Sequence, residues 1–533
     1  MTIITSKGDG EYPQKVPFWT SARLSLAVLA FFGFLFLYAL RINLSVGMVC
    51  MVNNTAVKEI SQNEVYQYSN ATSSGNVTNL EIDNIDECQV MQHSNSSRDK
   101  NEGHFLWEKK TQGLLLSSFF YGYILTQIPG GWLAERYGGK WVFGFSMFLT
   151  AVCTLLTPVC ANFHWGLLFV LRFVEGLGEG TIFPAMHAMW AVWLPPLERS
   201  KLAALAWAGT QIGNVITLPA SGLLCVYGFS GGWPSIFYIF GTATLVWFLF
   251  WAFLVADSPA KHKRISNVER MYIERTLAEE KSAHKEEKQH HVPWFTIFKS
   301  MPFWAILVTH VCCNWGTYSL LTFLPTYMRE VLKFDIKQNG LYSALPYIGF
   351  WLFINIGGHI ADFLRSRKIL STGNTRKLMN TMGSVIPGIF LVITGYMDCT
   401  QATTAVILLT IGVSFSGFQY GGGFLVNHVD IAPKYAGVLL GITNTTATIS
   451  GILAPYVIGT ITVNQTQEEW QIVFYIAACI YTFGAVFFII FGKGEVQDWA
   501  KEEPDQEDPD LARKLMSING SDKTEQKEFE THI

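Results

Sequence analysis

Charge is scarce in this chain. Only 15% of its 533 residues are Asp, Glu, Lys or Arg, where a soluble protein carries about a quarter. Half are hydrophobic and 14% are aromatic, and the mean hydropathy is positive. A net charge of −3 supplies no basic field for nucleic acid. The nine cysteines form no CxxC pair and no His/Cys metal spacing, so neither a metal centre nor a cofactor is expected. No P-loop or nucleophile elbow stands in a suitable context, and the Gly176-x-Gly178 pattern lacks the strand–helix–strand setting of a dinucleotide fingerprint. Enzymatic activity is therefore not expected. The first apolar run, Leu24–Leu40, is too long for a signal-peptide core and has no small-residue cleavage site, so the amino terminus is expected to be retained. These absences leave a polytopic membrane protein.

Apolar runs of about 20 residues, the length that crosses a bilayer, recur roughly twelve times. They fall at 22–50, 111–133, 140–161, 165–193, 202–226 and 234–256, then at 302–327, 340–364, 378–398, 403–427, 435–463 and 468–492. The expected domains are a tail at 1–21, a six-helix bundle at 22–256 and a polar linker at 257–299. A second six-helix bundle at 300–492 and a tail at 493–533 follow. The linker is expected to hold an amphipathic helix.

Lys and Arg set the sidedness. The loops at 134–139, 194–201 and 365–377 carry them, and the alternating short loops at 162–164, 227–233, 399–402 and 464–467 carry none. Both termini and the linker are thus expected in the cytoplasm, with loop 51–110 on the outer or lumenal side. That loop holds Asn-x-Ser/Thr sequons at Asn53, Asn70, Asn76 and Asn95, which makes it the expected glycosylated segment. Most cysteines, Cys50 and Cys225 included, lie within predicted spans. Cys88 and Cys399 fall in outer loops, where a disulfide between them is one option that sequence cannot decide.

The fourth run is the informative one. Leu167–Trp193 is almost wholly apolar yet carries Arg172, Glu175, Glu179 and His187. Ionisable groups at that depth are costly and rare, and they mark pathways. At about 100° per residue, the Arg and the two Glu share an arc of ~60°, with His187 about 60° further round. Two carboxylates near one arginine compete for charge compensation, and a carboxylate that gains and loses a proton can carry it across. The structural alternative is an ion pair of Arg172 with one Glu, the other Glu being inert. Arg41 stands near the outer third of the first run beside Asn43 and Ser45, and a guanidinium fork suits a carboxylate or phosphate. Its alternative is snorkelling to the interface. His310, Tyr121 and Tyr318 are further candidates to line a cavity, each also readable as packing.

After the second run comes Gly131-Trp132-Leu133-Ala134-Glu135-Arg136-Tyr137-Gly138-Gly139-Lys140, and a degenerate copy, Gly357-Gly358-His359-Ile360-Ala361-Asp362-Phe363-Leu364-Arg365, follows the eighth. The first is similar to the signature of the major facilitator superfamily, and its repetition fits an internally duplicated transporter. Gly131, Glu135, Arg136, Asp362 and Arg365 are accordingly expected to act in gating, as a latch that breaks when the gate opens. Further blocks narrow the resemblance. They include Tyr38-Ala39-Leu40-Arg41-Ile42-Asn43-Leu44-Ser45, Gln127-Ile128-Pro129-Gly130-Gly131, Arg172-Phe173-Val174-Glu175-Gly176-Leu177-Gly178-Glu179-Gly180 and Asn427-His428-Val429-Asp430-Ile431-Ala432-Pro433. Over roughly residues 20–500 the chain resembles the anion/cation symporter family.

That resemblance implies an all-α major facilitator fold of twelve transmembrane helices and transport by alternating access. It implies proton-coupled symport of a small organic anion, such as sialic acid or another acidic sugar. The same family leaves open sodium-dependent phosphate cotransport and vesicular glutamate transport, so sodium stays an alternative coupling ion. By the resemblance, Arg41 recognises the anion, with Arg172, His187, His310, Tyr121 and Tyr318 around it. Glu179 couples the proton and Glu175 is accessory. A lysosomal, endosomal or synaptic-vesicle membrane is implied, with the plasma membrane as the alternative, since the amino-terminal tail lacks an acidic dileucine signal. The expected state is a monomer in the bilayer. The final Glu530-Thr531-His532-Ile533 has a form that PDZ domains accept, against the plainer reading of an arbitrary acidic tail.

Overall fold

The computed structural model describes residues 18–57, 59–60, 103–283 and 292–501. Helix dominates, and among the described residues the only extended pairing is an isolated bridge between Val52 and Phe105. The first half contains α1 (Ala22–Met51), α2 (Lys109–Tyr137), α3 (Gly139–Phe163), α4 (Trp165–Gly180), α5 (Ile182–Trp193), α6 (Pro196–Tyr227) and α7 (Pro234–Leu254). The linker forms α8 (Asn267–Ala283) and α9 (Trp294–Lys299). The second half contains α10 (Met301–Glu330), α11 (Ile336–Ser366), α12 (Thr372–Gly395), α13 (Ala402–Gly421), α14 (Phe424–Ile431), α15 (Ala436–Ile461) and α16 (Gln467–Phe491). The pairs α4–α5 and α13–α14 each make one interrupted crossing, so each half crosses the bilayer six times.

Local chemistry sets these boundaries. Ser21, Asp335 and Ser371 each accept the backbone N–H three residues on, and Thr466 with Glu469 forms a reciprocal capping box; such caps satisfy donors that a helix start leaves unpaired. The fourth crossing breaks at Thr181, whose hydroxyl turns back to Gly178 O at 3.0 Å. The tenth breaks at Gly422 and Gly423. Equivalent breaks in the two halves agree with an internal duplication. Eight crossings are long and apolar enough to span a membrane by length and composition alone; α2, α6 and α10 are less apolar, and the α4–α5 crossing is divided between two shorter helices. Buried charges such as Lys109, Glu175, Glu179 and Glu330 lie on these four, and α1 adds Arg23 and Arg41.

The molecule has two unlike ends. At the end bearing Asn53 and Lys109 (the loop end) the halves are pressed together. Buried Lys109 forms an ion pair with buried Glu330, which also accepts the indole N–H of Trp470 at 3.2 Å. Ser45 donates to Thr322 O at 2.7 Å. Two glycine pairs bring backbones into contact: a methyl on Gly113 would lie 2.5 Å from Pro455 O beside Gly459, and one on Gly340 would lie 2.7 Å from Leu218 O beside Gly222. Toward the end bearing α8 (the linker end), the hydrogen bonds found between the halves stop at Gln127, among the described residues. Beyond it, Gly437 and Gly441 of α15 face open space. A central cavity is therefore open at the linker end and shut at the loop end.

Within the linker, α8 is docked on the first half, while Ile297 of α9 is buried in the core of the second. Arg23 donates to Glu198 at 2.6 Å and to Glu269 of α8 at 3.1 Å, and Arg199 grips Glu280 at 2.9 and 2.8 Å. Tyr272, Ile273 and Leu277 of α8 bury against the first half's core. A disulfide joins Cys50 to Cys225 and ties α1 to α6 at the loop end. Sequence placed both cysteines inside spans and so gave no hint of this pairing, because they sit at the last turns of two long apolar runs. Cys88 lies outside the described residues.

Candidate functional site

The buried charges of the first half meet at one place. Arg41 of α1 donates through Nε and Nη2 to Glu179 Oε2 of α4, at 3.0 and 2.9 Å. Arg172 is paired with Glu175 one turn along α4, and Thr154 of α3 donates to Glu175 Oε1 at 3.1 Å. Arg172 also reaches across to the α1 backbone, donating to Leu40 O at 3.4 Å and Arg41 O at 3.2 Å. It thereby fixes the segment that carries Arg41. All four side chains are buried. Two guanidiniums and two carboxylates cancel, so the cluster is neutral as it stands. The structural alternative for the stripe is half right: Arg172 pairs with Glu175, but Glu179 is engaged by Arg41.

Aromatic rings wall the cluster. The Arg41 guanidinium carbon lies 5.0 Å from the Tyr38 ring centroid, 5.0 Å from Phe119 and 4.9 Å from Tyr123. Arg172 lies 5.5 Å from Phe119 on its other side. Rings at such distances attract a cation through their negative faces and keep water away. Some capacity is unused: Glu179 Oε1 and Arg172 Nε have no hydrogen-bond partner.

A close helix crossing positions these groups. A methyl on Gly122 of α2 would lie 2.0 Å from Phe173 O, and one on Gly176 of α4 would lie 1.9 Å from Phe119 O. Only glycine lets α2 and α4 approach this far, which brings Phe119 and Tyr123 up to Glu175 and Glu179. Gly176→Ala is therefore expected to destabilise the protein by about 1–3 kcal/mol, the usual cost of overpacking. Melting in detergent would show this as a lowered transition; an unchanged one would contradict the crossing.

Other expected site residues lie elsewhere. Tyr121 packs on Phe169, with ring centroids 6.2 Å apart, not on Arg41. The rings that do surround Arg41 belong to Tyr38, Phe119 and Tyr123. His187 is exposed on α5, hydrogen-bonded to Phe183 O at 2.8 Å and edge-on to the Trp190 and Trp207 rings. It is separate from the charge cluster, because the break at Thr181 ends the helical register that sequence assumed. His310 is buried in the second half against Phe424, 6.5 Å from the His428 ring. Tyr318 is the exception that approaches the cluster: its ring is tilted against Phe120 at 4.6 Å and packs with Phe119 and Tyr123 of the aromatic wall.

The residues expected to form a gating latch are not paired with one another. Glu135, Arg136 and Asp362 are exposed and form no ion pair among the described residues; Arg136 lies over the Trp132 ring at 5.5 Å. Gly131 faces Pro184, at 3.8 Å from an added methyl. Arg365 stands 3.9 Å from Asp430, which is held mainly by Arg376 at 2.6 and 3.2 Å. The halves are apart at this end, so motif charges have nothing across the gap to grip. Sequence missed Arg376 and Asp430 as partners because 54 residues separate them. Asn53 caps its own turn by accepting Ala56 N–H at 2.9 Å. Asn70, Asn76, Asn95 and the carboxy-terminal tetrapeptide lie outside the described residues.

Two six-helix halves, shut at one end around a buried charge cluster and open at the other, define a multi-pass membrane transporter rather than an enzyme. The profile of the Major Facilitator Superfamily matches residues 31–455, and the chain belongs to that superfamily. Sialin of Homo sapiens is 48% identical over 487 residues, covering 91% of this chain and 92% of the relative. A putative inorganic phosphate cotransporter of Drosophila melanogaster is 41% identical over 496 residues, covering 92% and 88%. Among solved structures, the inward open conformation of the xylose transporter XylE from E. coli superposes with a TM-score of 0.62 at 12% identity, covering 88% of this chain and 96% of that one. This last likeness concerns the fold alone.

Proposed function

We propose that the protein is a proton-coupled symporter of small organic carboxylates, acidic sugars foremost. The observation that carries this is the neutral four-charge cluster in which Arg41 is held by Glu179. A carboxylate entering a buried neutral cluster would leave an uncompensated charge, which is strongly unfavourable away from water. One proton per carboxylate restores balance. Protonating Glu179 frees the Arg41 fork for the substrate, so proton and anion load together. Electroneutral loading at the open loop end then lets the halves rock, shutting the loop end and opening the linker end. With the linker end in the cytoplasm, as the basic loops imply, the driving proton comes from an acidic lumen or exterior. The similarity to sialin supports this substrate class and an acidic organelle as the compartment.

A second reading, sodium-driven phosphate transport, is favoured by the fly relative. Purified protein in liposomes separates the two. Labelled sialic acid, glutamate and phosphate are offered under imposed pH, sodium and voltage gradients, with choline replacing sodium. Carboxylate uptake is expected to follow the pH gradient and ignore choline. In Glu179→Gln, net uptake should no longer respond to the gradient. If a pH gradient never drives anion flux, proton coupling is wrong.

A further inference from the structure

Where the cavity closes, the two halves are joined by one uncharged knot. Gln127 of α2 donates to Thr448 Oγ1 at 2.9 Å, while its carbonyl accepts from Asn444 Nδ2 at 2.8 Å and Thr445 Oγ1 at 3.4 Å. All three partners belong to α15 of the opposite half. Gln127 lies four residues from Tyr123, so both occupy one face of α2. Tyr123 in turn covers Arg41 at 4.9 Å. The knot therefore stands about one helical turn, roughly 5 Å along α2, from the ring that covers the anion clamp. A sugar acid presents a carboxylate at one end and hydroxyls along the rest, in the order in which this face of α2 presents clamp and knot.

We propose that Gln127, Asn444, Thr445 and Thr448 read the hydroxyl groups of the substrate, making the site selective for polyhydroxylated carboxylates over plain ones. This rests on the proposed carboxylate transport. The chemistry fits: an amide and hydroxyls offer both donors and acceptors, and no charge that would demand a second ionic group. A hydroxylated ligand replaces the knot bond for bond while keeping α2 and α15 bridged. One without hydroxyls parts them and leaves buried polar groups unpaired. Sites built to hydrogen-bond a hydroxyl reject analogues that lack it far more strongly than apolar pockets reject a methylene. Bridging also means that the correct substrate holds the halves together at the point from which they must close.

The test compares binding of glucuronate with that of its deoxygenated analogue, tetrahydropyran-2-carboxylate, to the purified full-length protein by calorimetry. Wild type is expected to favour glucuronate by about tenfold or more. Gln127→Met, nearly isosteric, should weaken glucuronate about tenfold and leave the analogue within about twofold. Thr448→Val repeats the test at the partner, should Gln127→Met fail to fold. Equal weakening of both ligands, or of neither, overturns the role of the knot while leaving carboxylate transport standing. If wild type binds neither carboxylate, the transport reading itself falls, and this inference falls with it.

Discussion

Arg41→Lys is expected to cut carboxylate exchange by about 10- to 100-fold in a protein that still folds. The lysine keeps the charge, so Glu179 is not left as a lone buried carboxylate. What it loses is the fork. Arg41 uses two nitrogens on Glu179 and lies flat among three rings; a compact ammonium can reproduce neither arrangement. Charge-assisted hydrogen bonds contribute about 1.5–3 kcal/mol each, which sets the range. Arg41→Ala should be harsher, because breaking a buried pair from one side costs about 3–5 kcal/mol. Counterflow exchange at equal pH on both sides measures the effect without the proton gradient. Wild-type exchange rates in Arg41→Lys would remove Arg41 from substrate recognition.

Reversing one charge at the loop end should open it. In Lys109→Glu, two carboxylates would be buried side by side across the halves, where Lys109 and Glu330 now pair. Loss of a buried pair is worth about 3–5 kcal/mol, and about 5.5 kcal/mol takes a two-state equilibrium from 1:99 to 99:1. Most molecules should therefore open at the loop end. Thr326 is 4% exposed and lines the small cavity beside Glu330, so Thr326→Cys reports the change. An impermeant maleimide added from the loop side should label it quickly in Lys109→Glu and slowly in the parent. The double reversal Lys109→Glu/Glu330→Lys should restore slow labelling and much of the transport. Rapid labelling that persists in the double reversal would mean that the ion pair is not the lock.

Much of this architecture was legible in the sequence, for reasons that differ by feature. Apolar runs reveal crossings because lipid tolerates little else, and ionisable residues inside such runs reveal the pathway. The Arg172–Glu175 pair could be read because three residues on one helix share a face. Arg41 with Glu179 could not, since 138 residues separate them and only the fold brings α1 to α4. The choice between Tyr121 and Tyr123 turns on two residues of helical phase, which apolar α2 does not disclose. Phe119 and Tyr38 look like packing and serve as walls. Lys109 sits among the first residues after a polar loop, where a lysine ordinarily meets solvent; its burial depends on Glu330 from the other half. The contacts of the motif charges expected to gate depend on which end is shut, and a sequence has no conformation.

The paired glycines at the loop end carry a mechanical consequence. Gly113 with Gly459, and Gly222 with Gly340, sit at two related points where the halves touch backbone to backbone. No side chain interlocks there, so these crossings can slide or roll without first extracting a knob from a hole. They behave as smooth bearings on either side of the shut end. At these two points resistance to the swing rests on nearby polar contacts between the halves, the Lys109–Glu330 pair and the Gln127 bonds, and not on meshed side chains. Friction is low wherever the machine turns, and control is kept where it can be addressed chemically.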